Sequence, residues 1–363
     1  MSLARLWTVA RLELLQRVRT VSWYVLLGIF ALLLIGVTVL AFLAFGGSVS
    51  DGDQRGAGIY STIVIITLLL VVLVSPTLSG NSVNGDRDAA TLAPVQVTLA
   101  RTSEILLGKV LAAWITGLAF AAVAAPFLVV ATFAGGVDPV VVVVSLAVLI
   151  IEIGVIAAIG VGLSGLIARP LFSVAATYLV VSALVFGTLI AFGLAATAFS
   201  SEATTTYRAM QYNADGSPQC RDGSEECWND PAQMVCGEPQ ESVYTVPRFD
   251  RVWGVLAANP FVILADATPA EYDRLGYPVD LFGQIASAVR QAQIAPDLAT
   301  DYDDCDPARD DLVATPAEIR DRTVPSWFVG LGVQVVVAGA LVAGAWSRTK
   351  TPARTLPPGT RIA

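Results

Sequence analysis

The chain has 363 residues, 55% of them hydrophobic and only 14% charged, with a formal net charge of −8. A soluble domain carries about 25% charged residues, so these figures exclude an ordinary soluble protein, and the lack of any basic, aromatic-interleaved stripe excludes nucleic acid as a partner. There is no histidine, which removes the commonest general base and the commonest zinc ligand.

Residues 1–20 come first. Leu3, Leu6, Trp7, Ala10, Leu14 and Val18 recur at helical spacing, with Arg5, Arg11, Gln16 and Arg19 mostly on the other side. This pattern predicts an interfacial helix lying among headgroups; the simpler alternative is a basic flank that fixes orientation. The following apolar run is too long for a signal-peptide core, so the first helix is expected to remain in the mature protein.

Six apolar runs follow, at roughly 21–45, 59–79, 109–134, 139–168, 171–199 and 326–346. Each is long enough to cross about 30 Å of hydrocarbon as a helix. Lipid-embedded backbone must satisfy its own hydrogen bonds, so helices are expected rather than open strands. The fold class read from the sequence is an all-α polytopic membrane protein: six transmembrane helices, the N-terminal interfacial helix, and a disulfide-containing extracellular insert between the fifth and sixth.

Charge near the ends of the runs sets orientation. Arg5, Arg11, Arg17 and Arg19 precede run one, Arg87, Arg101 and Lys109 lie between runs two and three, Arg169 sits between runs four and five, and Arg348, Lys350, Arg354 and Arg361 crowd the tail at 347–363. Six crossings put all four regions on one side, and the positive-inside rule makes that side cytoplasmic. The expectation is a multi-pass plasma-membrane protein with both termini inside.

The segment 200–325 then faces outward. About 22 of the 30 acidic residues lie between Glu202 and Asp321. All four cysteines are here: Cys220, Cys227, Cys236 and Cys305. Their spacing is not that of a zinc site, and an oxidising compartment favours two disulfides, with three pairings open. Residues 250–267 are too apolar for a free loop, Pro260 interrupts them, and they are expected to dip into the outer leaflet or cap the spans. Val279, Phe282, Ile285 and Val289 mark one face of a further helix.

Catalytic signatures are missing. Gly108-Lys109 is followed by Val110, and Ser103 stands where a phosphate loop needs its first glycine. No G-x-S-x-G or H-E-x-x-H motif occurs. The chain is expected to be non-catalytic and to bind no cofactor or metal of its own.

The stretch 80–109 is the most informative. Asp86, Arg87 and Asp88 head a short helical segment holding Leu92, and Pro94 stops it. Arg101-Thr102-Ser103-Glu104 reads as a turn and helix start, with Glu104 near the N-terminus of a helix running into span three. The run Asp88…Thr91-Leu92…Thr98-Leu99-Ala100-Arg101…Glu104-Ile105-Leu106-Leu107-Gly108-Lys109 resembles the permease subunits of ABC-2 type ABC transporters. Two places depart from the family pattern: Arg87-Asp88-Ala89-Ala90 stands before Thr91-Leu92, and Thr98-Leu99-Ala100-Arg101 replaces the usual Thr-Pro-Val-Ser-Arg. The resemblance implies an exporter subunit whose cytoplasmic coupling segment, at 80–108, meets a separate ATP-binding subunit. That partner would hold ATP and magnesium, and a second permease copy or paralogue would complete the pore. Asp86, Arg87, Asp88, Thr91, Leu92, Arg101, Thr102, Glu104 and Lys109 are its implied coupling residues. The competing expectation is a non-transporting anchor or receptor whose extracellular domain binds a ligand.

Glu152 is the one acid in mid-span. A charge there is costly, so it should face the bundle, either as part of a translocation path or as a carboxyl that locks helices together. Gln334 in the last span poses the same question on a smaller scale. Gly154, Ala158, Gly162 and Gly165 form a small-residue ladder that lets helices approach.

Overall fold

The structure is a computed structural model describing residues 2–46, 55–88, 101–222, 227, 233–304 and 314–349. It is mostly helical. Six helices are long and apolar enough to cross a membrane: Val21–Phe45, Arg55–Asp88, Thr102–Phe133, Pro139–Leu166, Pro170–Ala198 and Trp327–Thr349. This is the architecture of a multi-pass membrane protein, and these helices are numbered spans 1 to 6. Leu40, Leu43, Leu179, Leu194 and Val336 project from the outside of the bundle, where lipid replaces water as the solvent.

Sequence punctuation sets where the spans begin. Pro139 occupies the first turn of span 4, and Asp138 caps it by accepting from the Val140 amide at 2.6 Å. Pro170 likewise occupies the first turn of span 5, there without a side-chain cap. Gly135 and Gly136, both at positive φ, turn the chain tightly between spans 3 and 4. Span 3 begins earlier than the apolar run suggests, at Thr102, so Glu104 lies in its first turn.

Span 4 is central and packs on spans 2, 3, 5 and 6. Glycine permits this closeness. A side chain on Gly162 would meet Leu341 at 2.7 Å, and one on Gly165 would meet Ala345 at 2.4 Å. The Gly162 and Gly165 end of the predicted small-residue ladder is therefore a seam between spans 4 and 6, whereas Gly154 lies against Trp114 of span 3. On the opposite flank, Trp23 and Phe30 of span 1 both stack edge-on against Phe120 of span 3.

The N-terminal helix Leu3–Val18 lies against the start of span 3. Its inward residues are Leu6, Val9, Ala10, Glu13, Leu14 and Arg17, while Leu3, Trp7 and Val18 point away. The face toward the bundle is thus partly polar, and only part of the predicted apolar face is used for packing. The bundle end bearing this helix is called basal here, the other apical.

The apical end carries the insert, which corrects the all-α expectation. Strands β1 (Ser201–Arg208), β2 (Gln240–Val246) and β3 (Ala299–Asp303) form a sheet in the order β2-β1-β3. β1 runs antiparallel to β2 and parallel to β3, with Tyr207 opposite both Gln240 and Tyr302. Cys220 and Cys227 form a disulfide, Cys236 is also disulfide-bonded, and Cys305 lies outside the described residues.

Beneath the sheet, three short helices, Gly254–Ala257, Pro260–Ala267 and Leu281–Gln291, pack onto the spans. They are the capping segment expected at 250–267 plus the predicted amphipathic helix, whose Phe282, Ala286 and Val289 are buried.

Candidate functional site

Two polar constellations with buried ionisable side chains stand out in the bundle. The basal one grows from span 2, which continues past its apolar stretch into the helical turn Asn84–Asp88. Ser164 Oγ of span 4 accepts from the Val83 amide at 2.9 Å and from the Asn84 amide at 3.2 Å. The Asn84 amide group donates to the Ile167 carbonyl at 2.5 Å. Arg87 donates to the Gly165 carbonyl at 3.3 Å and to Thr349 Oγ1, at the end of span 6, at 3.2 Å.

Lys109 of span 3 closes the group. Its ammonium is 2% exposed and donates to Glu13 of the N-terminal helix, to the Ser82 carbonyl at 2.8 Å, and to Asp86 at 2.6 Å. All three ammonium protons have acceptors, as a buried lysine requires. Arg17 of the same N-terminal helix donates to the Leu78 carbonyl at 2.7 Å. Burial pulls its guanidinium below the ordinary arginine value, an effect that Glu13 partly offsets. Segment 82–88 is thereby joined to the N-terminal helix and to spans 3, 4 and 6.

Glu104 has a different task. It is fully buried and accepts from the backbone amides of Arg101, at 2.9 Å, and Ser2, at 2.6 Å. The carboxylate thus caps two helices at once, its own and the N-terminal one. Of the coupling residues expected from the sequence, Glu104 and Lys109 are buried, Asp86 and Arg87 are engaged inside the chain, Thr102 is half-buried, and Asp88 and Arg101 are exposed. Thr91 and Leu92 lie outside the described residues.

The second constellation lies at mid-membrane. Glu152, halfway along span 4, is fully shielded, and neither carboxyl oxygen has a hydrogen-bond partner. Gln334 of span 6 stands beside it, without a bond of normal geometry between them. The Gln334 amide donates instead to the Ala258 carbonyl at 3.0 Å, and its own oxygen is unpartnered.

Ala258 belongs to the apical segment Gly254–Ala267, which dips between spans 5 and 6. Asn259 fixes the tip. It caps the helix at Pro260 by accepting from the Phe261 amide at 2.9 Å, and it donates to the Val185 carbonyl at 2.8 Å and to Thr188 Oγ1 at 3.0 Å. Val185 lies in a π-helical turn of span 5, Ala183–Gly187, and such widened turns release carbonyls for other partners.

The dipping segment is tied down by Asp266. Its carboxylate pairs with Arg290 at 2.6 Å and accepts from Ser326, through both backbone and hydroxyl, and from the Trp327 amide at 3.2 Å. Asp266 therefore caps span 6 from a distant part of the chain. Sequence reasoning passed over Glu13, Asn84, Asn259, Asp266 and Arg290. An isolated acid in the apolar run 260–267 and the Asn259-Pro260 pair were the available signals.

An apolar pocket of about 410 Å³ opens between spans 3 and 4 near the apical end, lined by residues including Leu118, Ala122, Val129, Val142 and Leu146. Among the described residues no cluster of metal-binding side chains occurs. No family model and no curated protein matches the chain.

Proposed function

We propose that this chain is the membrane-spanning subunit of an ATP-binding-cassette exporter of the ABC-2 type, in a plasma membrane, with both termini cytoplasmic. A second copy or a paralogue completes the translocation path. A separate subunit binds ATP and magnesium and does the hydrolysis, so this chain is non-catalytic.

The observation that carries the reading is the convergence of Glu13, Asp86 and Lys109 at segment 82–88. A subunit that presses on the chain at Asp88 moves a rigid hub rather than a loose connection. That hub grips spans 3, 4 and 6 and the N-terminal helix, so a small displacement at the basal surface reaches the centre of the bundle. The positive residues at the basal end and the resemblance around 88–109 support the same reading. The competing anchor-or-receptor reading leaves this basal network without a task.

The test is co-purification of the full chain with a soluble nucleotide-binding protein encoded beside it, followed by an ATPase assay. Arg101→Glu and Asp88→Lys are the appropriate docking probes because both side chains are exposed; Glu104 is unsuitable, since it caps two helices. The reading expects a stable complex whose association and ATPase activity fall at least tenfold in the double variant. A chain that captures no ATPase, or a complex indifferent to both charge reversals, would overturn it.

A further inference from the structure

Glu152 has no use in the coupling just described, yet a buried carboxyl without partners is costly. It sits at the midpoint of span 4, fully shielded, with both oxygens unpartnered. An ionised carboxylate has about four lone-pair sites to satisfy. Among the described residues the polar side chain beside it is Gln334, and one of the two protons of that amide is given to Ala258 at 3.0 Å.

Among the described residues no counter-charge is near. Between Gly56 and Ser79 the titratable side chain of span 2 is Tyr60, whose hydroxyl is bonded to Ser145 at 3.0 Å, about two turns apical of Glu152. Span 5 brings Tyr178, which donates to the Leu73 carbonyl at 3.1 Å. The charged residues of span 3 are Glu104 and Lys109, both consumed at the basal end, and span 6 holds only Arg348, which donates to the Leu166 carbonyl at 2.9 Å. In the dipping segment, Asp266 is paired with Arg290.

A proton resolves both deficits. A neutral carboxyl removes the buried charge, and its O–H is the donor that the unpartnered Gln334 oxygen lacks. Bound this way, Glu152 joins a chain from span 4 through Gln334 of span 6 to the Ala258 carbonyl, at the tip of the apical segment.

We propose that Glu152 is a proton-binding site whose occupancy holds the segment Gly254–Ala267 seated between spans 5 and 6. Loss of that proton leaves a bare carboxylate beside Gln334. The amide is then drawn from Ala258 toward Glu152, and the apical segment loosens. Proton binding at Glu152 and seating of the apical segment are thus one equilibrium. The inference rests on the membrane-spanning architecture and not on an ATPase partner, so it survives or fails independently of the exporter reading.

Two measurements on the full chain in lipid nanodiscs test it. Infrared spectroscopy at neutral pH should show a protonated-carboxyl C=O band that shifts in deuterated water, is lost in Glu152→Gln, and moves to higher frequency in Gln334→Leu. Hydrogen–deuterium exchange across 254–267 gives the second readout, as the ratio of wild type to Glu152→Gln at each pH. That ratio should stay near one at neutral pH and rise at least threefold under alkaline conditions, with residues 102–133 unchanged. Glu152→Gln is nearly isosteric, and the wild-type spectrum is informative even where a variant folds poorly. Absence of the band in the wild type, its indifference to Gln334→Leu, or a ratio that stays flat with pH overturns the proposal.

Discussion

Lys109 of span 3 and Asp86, on the turn that prolongs span 2, sit 2.6 Å apart, and Glu13 of the N-terminal helix takes a second proton of the same ammonium. The pair is not a surface ornament, because the lysine is almost wholly shielded. Lys109→Met keeps the length of the side chain but leaves two carboxylates facing one another. Removing one member of a buried ion pair costs about 3–5 kcal/mol; the partial exposure of both acids places this case near 3. The triple variant Glu13→Gln, Asp86→Asn, Lys109→Met removes the stranded charges and should recover most of the loss. Thermal unfolding in detergent measures both, and a Lys109→Met chain as stable as wild type would show that the hub is not held by charge.

The depth of the dipping segment depends on Gly330. A side chain there would place its Cβ 1.7 Å from the Ala257 carbonyl oxygen, whereas one on Gly332 meets nothing within 4 Å. The two glycines differ by two positions and are therefore a matched pair. Gly330→Ala should destabilise the fold by about 2 kcal/mol or more, since overpacking against backbone cannot be relieved by a rotamer change. Gly332→Ala should be neutral or slightly stabilising, because alanine favours the helix. Equal unfolding temperatures for the two would contradict this packing.

Much of this was legible in the sequence, for physical reasons that differ by element. The spans were visible because a lipid-facing helix needs an unbroken apolar run. Glu152 was visible because nothing else in its run is charged. The strand β1, Ser201–Arg208, was not, since a sheet with partly exposed polar residues on both faces lacks the alternation that betrays a strand. Asp86 and Lys109 were legible as basal residues but were expected to face a partner. Their true neighbours include Glu13, 96 positions from Lys109, and only the packing of the N-terminal helix brings them together. Asn259 and Asp266 carried cap-like signals whose remote targets, Val185 and Trp327, no local pattern could name.

Asp266 and Arg290 form the apical counterpart of the basal hub. Asp266→Ala leaves Arg290 buried without its anion and the amides of Ser326 and Trp327 without a cap. The expected loss is about 3–5 kcal/mol. Arg290→Met alone should cost less, because the Asp266 carboxylate keeps its three donors from Ser326 and Trp327. The order of unfolding temperatures, wild type above Arg290→Met above Asp266→Ala, checks the assignment, and the reverse order for the two variants would refute it.

Asp280 gives the apical layer a dependence on pH. It caps the helix Leu281–Gln291 by accepting from the Gly283 amide at 2.7 Å, yet burial pushes its carboxyl up to about 6 from an ordinary 3.8. The Gly283 bond and Arg320 pull the other way, Glu271 adds to the rise, and burial prevails. A carboxyl raised on folding stabilises the fold fully below its unfolded value, and this contribution is lost as pH rises through about 6. At 1.36 kcal/mol per unit the effect is on the order of 3 kcal/mol. Asparagine caps a helix about as well as aspartate and carries no charge, so Asp280→Asn should be the more stable chain at pH ~7, by up to that amount. The difference should shrink toward pH ~4, because both side chains are then neutral. Unfolding temperatures of the two chains across this range measure the curve. An Asp280→Asn chain that is less stable at every pH would mean that the ionised cap contributes more than its burial costs.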